Sequence, residues 1–103
     1  MSETFATRTP LWMWTTDKAP ASWHFLTITG EAADGIRLSA LMLHGRRRGF
    51  GSVKVIATIG DTSWSTSLFP HKETDGWMLP VKASVRKAED LVAGDEVDVR
   101  VVV

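Results

Sequence analysis

Two groups of cations in this 103-residue chain have the spacing to hold an anion. Lys82 and Arg86 stand four apart in a run of helical periodicity, hence on one face. The spacing places Lys82 in the helix's first turn, where free backbone N–H groups also favour negative charge. Lys72 and Arg48, with Trp64 alongside, complete a set suited to the oxygens of a phosphate or carboxylate, to which the Thr66 and Ser67 hydroxyls could add donors. The second group is Arg46-Arg47-Arg48 in a glycine-rich stretch, followed by Lys54. Guanidinium groups fork onto phosphate oxygens, and glycine lets backbone approach them closely. Each group has a plain structural alternative. Arg86 stands four residues before Asp90 and near Asp95, either of which would turn it into a clamp between helix and barrel. Three consecutive arginines are also common on a solvated turn.

Other chemistries are thinly supplied. His24, His44 and His71 lie far apart, with no His-x-x-x-His or His-Glu-x-x-His spacing, so no metal site and no cofactor is expected. His24 alternates with Trp23 and Phe25, where an outward or hydrogen-bonded histidine is the default. There is no Gly-x-Ser-x-Gly elbow, Walker loop or Rossmann glycine pattern. Asp61, Asp75, Asp90 and Asp95 fall at turns or helix ends, where aspartate serves capping and local hydrogen bonding. Five tryptophans stand at positions 12, 14, 23, 64 and 77. Aromatics in strands are usually core or barrel-rim residues, yet they also line ligand clefts and stack on bases. Trp12 and Trp14 share a strand face and mark the best candidate for an interaction surface.

Composition narrows the class. One domain over residues 1–103 is expected from the length. Twelve Lys and Arg balance twelve Asp and Glu, which argues against a protein basic all over for nucleic acid. Asn and Gln, the usual readers of adenine edges, do not occur. Zero cysteines remove disulfides, thiolate metal sites and cysteine nucleophiles. No apolar run approaches the ~20 residues that cross a bilayer, and the first twenty residues lack the pattern of a signal peptide. A cytosolic protein without a membrane partner is the expectation.

The elements that would carry these side chains are mostly strands. Period-2 alternation over Leu11–Thr16, bracketed by Pro10 and Pro20, predicts one; Trp23–Thr29 predicts a second, buried one. Residues 31–43 carry apolar positions near helical spacing despite Gly35. His44–Gly51 reads as a loop. Val53–Ile59 and Thr62–Phe69 form a hairpin about Gly60-Asp61, with Thr62, Trp64, Thr66 and Leu68 on one face and Pro70 as its stop. Trp77–Pro80 is a short strand, Val81–Leu91 an amphipathic helix, and Glu96–Val103 a half-buried strand after a Gly94-Asp95 turn. About six strands with two short helices in the connections predict a mainly β fold, a small barrel whose openings the helices cover.

The segment from Leu79 to Val97 resembles the second half of the AbrB/MazE module, in which a strand ends in Pro, a short helix carries Val-Arg, and Gly-Asp opens the last strand. A fuller likeness runs over roughly residues 20–103. Arg48-Gly-Phe-Gly-Ser-Val-Lys-Val55, Ile59-Gly60, Trp64-Ser-Thr-Ser-Leu-Phe-Pro70 with Lys72, Leu79-Pro-Val-Lys82 and Val85-Arg86 together resemble the bacterial domain of unknown function nineteen-oh-five. That resemblance implies a double-split, AbrB-like barrel completed within one chain, and implies no settled activity. A faint internal repeat, Trp23–Leu38 against Trp77–Leu91, fits pseudo-twofold construction.

The resulting expectation is a non-enzymatic binding or interaction module for a small anion or a protein partner, with Arg48, Lys72, Lys82, Arg86 and Trp64 as its ligand face. The alternative is an AbrB-like nucleic-acid binder using Arg46, Arg47, Arg48 and Lys54. A small hydrolase would need a deep pocket joining a histidine to a carboxylate. A monomer is expected, with the Leu11–Thr15 edge available for pairing between chains.

Overall fold

The computed structural model describes residues 3–16, 19–44 and 51–103. Clean alternation of buried and exposed positions makes β3 (Val53–Ile59) and β6 (Glu96–Val102) strands with one face in the core: Val53, Val55, Ala57 and Ile59 on one, Val97, Val99 and Val101 on the other. With β1 (Thr4–Thr16), β2 (Ala19–Ile28), β4 (Thr62–His71) and β5 (Gly76–Pro80) they close an antiparallel barrel in the order β1-β2-β5-β4-β3-β6. Helix α1 (Gly30–His44) joins β2 to β3, and α2 (Ala83–Ala88) joins β5 to β6. Exchanging β1 with β4, β2 with β5 and β3 with β6 leaves the strand order unchanged. The barrel is therefore two β-β-α-β halves related by a pseudo-twofold, in the mainly β architecture expected.

Closure depends on two strands that change neighbours. β1 pairs with β6 over Thr4–Pro10 and with β2 from Leu11 onward. β4 pairs with β3 over Thr62–Leu68 and with β5 over Phe69–His71. Both strands run through the prolines expected to bound them. The reason lies in the pairing: Pro10 precedes the first β2 pair and Pro70 follows the last β3 pair, so each has a neighbouring strand on one side alone and loses no ladder donor on the other. β2 likewise starts at Ala19, before Pro20 and earlier than Trp23.

Where a strand has left one neighbour, a helix covers the gap. α1 buries Ala33, Ile36 and Ala40, and its Ala33 carbonyl accepts from Trp77 Nε1 at 3.1 Å. Gly35, which lowers helix propensity, is where the Phe5 ring packs against the helix, and a methyl there would overlap that ring. α2 buries Val85. It is shorter than the expected 81–91: Val81 N–H bonds His24 O at 2.9 Å, and Asp90 takes a left-handed φ of 54° just beyond the helix end.

Gly76 marks a close backbone approach between the halves, since an added Cβ would meet the Ile28 carbonyl, and backbone cannot rotate away. Gly76→Ala is expected to cost roughly 2–3 kcal/mol, the upper part of the usual overpacking range. For a chain of this size that is a fall in Tm of about 10–20 °C, measurable by thermal unfolding; an unchanged Tm would show that β5 is not held this closely.

Candidate functional site

α2 lies across the barrel on the side of β2 and of the first half of β4, and three contacts hold it there. They are the Val81–His24 backbone bond, buried Val85, and Thr62 Oγ1 donating to Glu89 Oε2 at 2.6 Å. Between the helix and the strands is a notch of about 300 Å³, lined by His24, Trp64, Thr66, Lys82 and Arg86, with Trp23 and Pro80 along its outer wall. Three residues expected at the ligand face, Trp64, Lys82 and Arg86, thus come together. Trp64 is a buried core residue at the back of the notch; Lys82 is exposed at its lip. Lys82 is the N-cap of α2 and not in its first turn. With six residues the helix contributes little dipole, so the side chains must supply the positive charge.

The other expected residues are elsewhere. Lys72 is exposed in the β4–β5 turn and does not line the notch. Ser67 does not line the notch but an adjoining open groove, which it shares with Lys54 and which has Ser65 and Thr66 in common with the notch. Arg46, Arg47 and Arg48 lie outside the described residues. His24 differs most from expectation. It points inward, beneath α2, where Arg86 Nη1 donates to its Nε2 at 3.4 Å. The neutral ring then carries its proton on Nδ1, which is buried and without a hydrogen-bond partner among the described residues. Burial, and then the Arg86 charge, hold the His24 pKa below the ordinary value of 6.5.

Arg86 is a clamp, but not to a carboxylate. Its Nε donates to Val81 O at 3.2 Å, and among the described residues neither Asp90 nor Asp95 pairs with it. Asp90 instead adopts the left-handed turn after the helix, while Asp95 Oδ2 accepts from Val92 N–H. The pseudo-twofold makes this informative, because each helix sets an arginine against a ring from the other half's strand. Arg37 of α1 lies over the Trp77 ring at 5.9 Å, as Arg86 of α2 lies against His24. Arg37 is neutralised by Asp34 at 3.1 Å and Asp75 at 3.6 Å. Arg86 has no such partner among the described residues.

A family model, Domain of unknown function (DUF1905), matches residues 8–101. The chain belongs to the DUF1905 family. No curated protein matches it. The family match spans β1 to β6 and so includes both helices and the notch, while naming no activity for either. Among the described residues no helix is long and apolar enough to cross a membrane.

The notch also sets a pH dependence. His24 has a lowered pKa in the fold, so below pH about 6.5 the unfolded chain takes up a proton more readily than the native chain. Its contribution to stability is complete above the unfolded pKa and is lost as pH falls through the lowered native one. Tm should fall as pH drops below about 6.5, ahead of most carboxylates, whose ordinary values lie near 4. The slope should flatten in His24→Gln; equal slopes in both proteins would remove His24 as the cause.

Proposed function

We propose that this DUF1905 domain is a non-enzymatic binding module whose α2 notch takes the carboxylate or phosphate of a small ligand. The observation that carries this reading is the partly buried Arg86, uncompensated by a carboxylate among the described residues while its pseudo-symmetric counterpart Arg37 is doubly compensated. A partly buried guanidinium, in a notch it shares with Trp64, attracts an anion more strongly than one in open solvent. Its Nε is committed to Val81 O, which fixes the plane of the fork without using all five donors. Lys82 adds a mobile charge at the lip, and the Thr66 side chain adds a hydroxyl in the wall.

The chemistry of the notch favours binding over hydrolysis. Its histidine faces an arginine, and no carboxylate lines it among the described residues, so a histidine–carboxylate pair for general-base work is not assembled there. The exchange-invariant strand order also supports kinship with the AbrB/MazE module. The nucleic-acid reading has less behind it: of its four residues only Lys54 lies among the described ones, exposed on β3 and not in the lining of the notch.

Titration with inorganic phosphate, followed by NMR, tests the reading. Phosphate at Arg86 should shift the backbone signals of Val81–Arg86 and the Trp64 indole. It should also raise the His24 pKa, because the anion offsets the cation that lowers it. Arg86→Gln should weaken binding by about tenfold or more, in line with ~1.4 kcal/mol for one lost charge-assisted contact. Lys82→Ala should weaken it by a smaller factor, and Arg86→Lys, which keeps the charge, should retain the His24 shift. No movement at α2 or His24, or unaltered binding by Arg86→Gln, would overturn the proposal.

A further inference from the structure

The outer face of the barrel breaks the rule that strands follow elsewhere. On β3, β4 and β6 the outward positions are largely polar, as at Lys54, Ser63, Ser65, Asp98 and Arg100. On the β1–β2–β5 side they are aromatic or apolar: Trp14 is paired with Trp23, Trp12 with Phe25, and Phe25 with Pro80. These residues line an open groove of about 740 Å³. Trp14 and Trp23 are 49% and 52% exposed. The core has no use for them there, since Leu11, Leu26 and Leu79 on the opposite faces of the same strands already fill it.

The groove is built rather than merely greasy. Trp12 Nε1 donates to Thr27 Oγ1 at 2.7 Å, and its ring meets Phe25 at 5.1 Å between centroids, tilted by 36°. One indole is therefore held in a set orientation as a floor, with Trp14 and Trp23 beside it. Preorganised indole faces take flat rings at little entropic cost. The groove's volume lies within the ~300–1,000 Å³ of small-molecule sites.

Its position selects the ligand. Trp23 and Pro80 line both this groove and the α2 notch, so the apolar groove and the Arg86–Lys82 cations share one wall. Glu73 also lines the groove and repels an anion that approaches it. The charges thus give the combined site a polarity: anion toward Arg86, uncharged ring on the tryptophans, hydrogen-bond donors toward Glu73. We infer that the domain binds a flat-ring anion, an aromatic ring system bearing a phosphate or carboxylate, laid across the Trp23–Pro80 wall with its ring on the indoles and its charge on Arg86. This inference rests on the anion reading of the notch and names the ligand class that fills the remainder of the site.

The test compares adenosine monophosphate and naphthoate with the fragments inorganic phosphate, acetate and adenosine, reading the tryptophan indole N–H signals. At least one ring anion should bind about tenfold or more tightly than its anion fragment and move the Trp14, Trp23 and Trp64 signals together. Trp14→Ala, at an exposed position that leaves the core intact, should reduce its affinity to that of the anion fragment and leave phosphate binding unchanged. If phosphate binds at Arg86 but neither ring anion binds more tightly than its fragment, this inference fails and the anion reading stands. If phosphate does not bind either, both fail. A ring anion that binds equally well to Arg86→Gln would show a stacking site without the anion anchor, and would also overturn the inference.

Discussion

β1 and β4 are each shared between two neighbours, and most of the molecule follows from that. A strand that leaves β6 to join β2, or β3 to join β5, closes a six-stranded barrel from short pieces, but it exposes core where the partner is lost. Something apolar must cover each opening, and the chain supplies a helix at the corresponding point of each half. Buried Ile36 on α1 and Val85 on α2 are the plugs. Pro10 and Pro70 sit at these exchanges because a strand with a neighbour on one side can dispense with an N–H.

The same construction makes the candidate site. A plug laid across strands leaves a seam, and side chains along a seam are neither in the core nor in bulk water. At α1 the seam is compensated: the Trp77 indole N–H has the Ala33 carbonyl and Arg37 has two carboxylates. At α2 it is not among the described residues, where His24 Nδ1 has no partner and Arg86 is held by a carbonyl and an imidazole. Two halves with equivalent topology solve the same packing problem, and one of them retains uncompensated polarity. Buried donors without partners carry a free-energy cost, which is reasonable in a binding site and hard to account for in a mere plug. The cluster of tryptophans next to this seam, on strands whose other faces already fill the core, is a second departure from what folding alone requires.

Much of the wall was readable from the chain. Alternation in Val53–Ile59 and Glu96–Val102, the Gly60-Asp61 turn, and the Trp64–Leu68 inward face all survive in three dimensions, because a strand with one buried face must repeat every two residues. The limits of elements were less readable. The prolines looked like stops because local sequence cannot show that a neighbour is missing on one side. α2 looked longer because Val81, Ala88 and Leu91 repeat at helical spacing, yet Val81 pairs with β2 and Asp90 lies in the left-handed turn that follows the helix. At the notch, Lys82 and Arg86 had been singled out through i,i+4 spacing, and Trp64 as the aromatic beside them. His24 was passed over, since a histidine between two aromatics in a strand gives no sign of which face it takes.

What the sequence determined by itself was therefore periodic and local: a mainly β fold, which residues face inward, and a pair of cations close together at one short helix and its N-cap. Tertiary structure alone decided which of the cations meet and which are neutralised. Arg37 finds Asp75 across 38 residues, Arg86 finds His24 across 62, and Lys72 joins neither. Periodicity sets the face of a side chain within its own element, whereas charge compensation depends on closure of the barrel, which brings together residues with no relation along the chain. The outward tryptophans show the same division. Their alternation was visible from the start, but only the pairing of β1 with β2 and of β2 with β5 joins them into one groove beside Arg86.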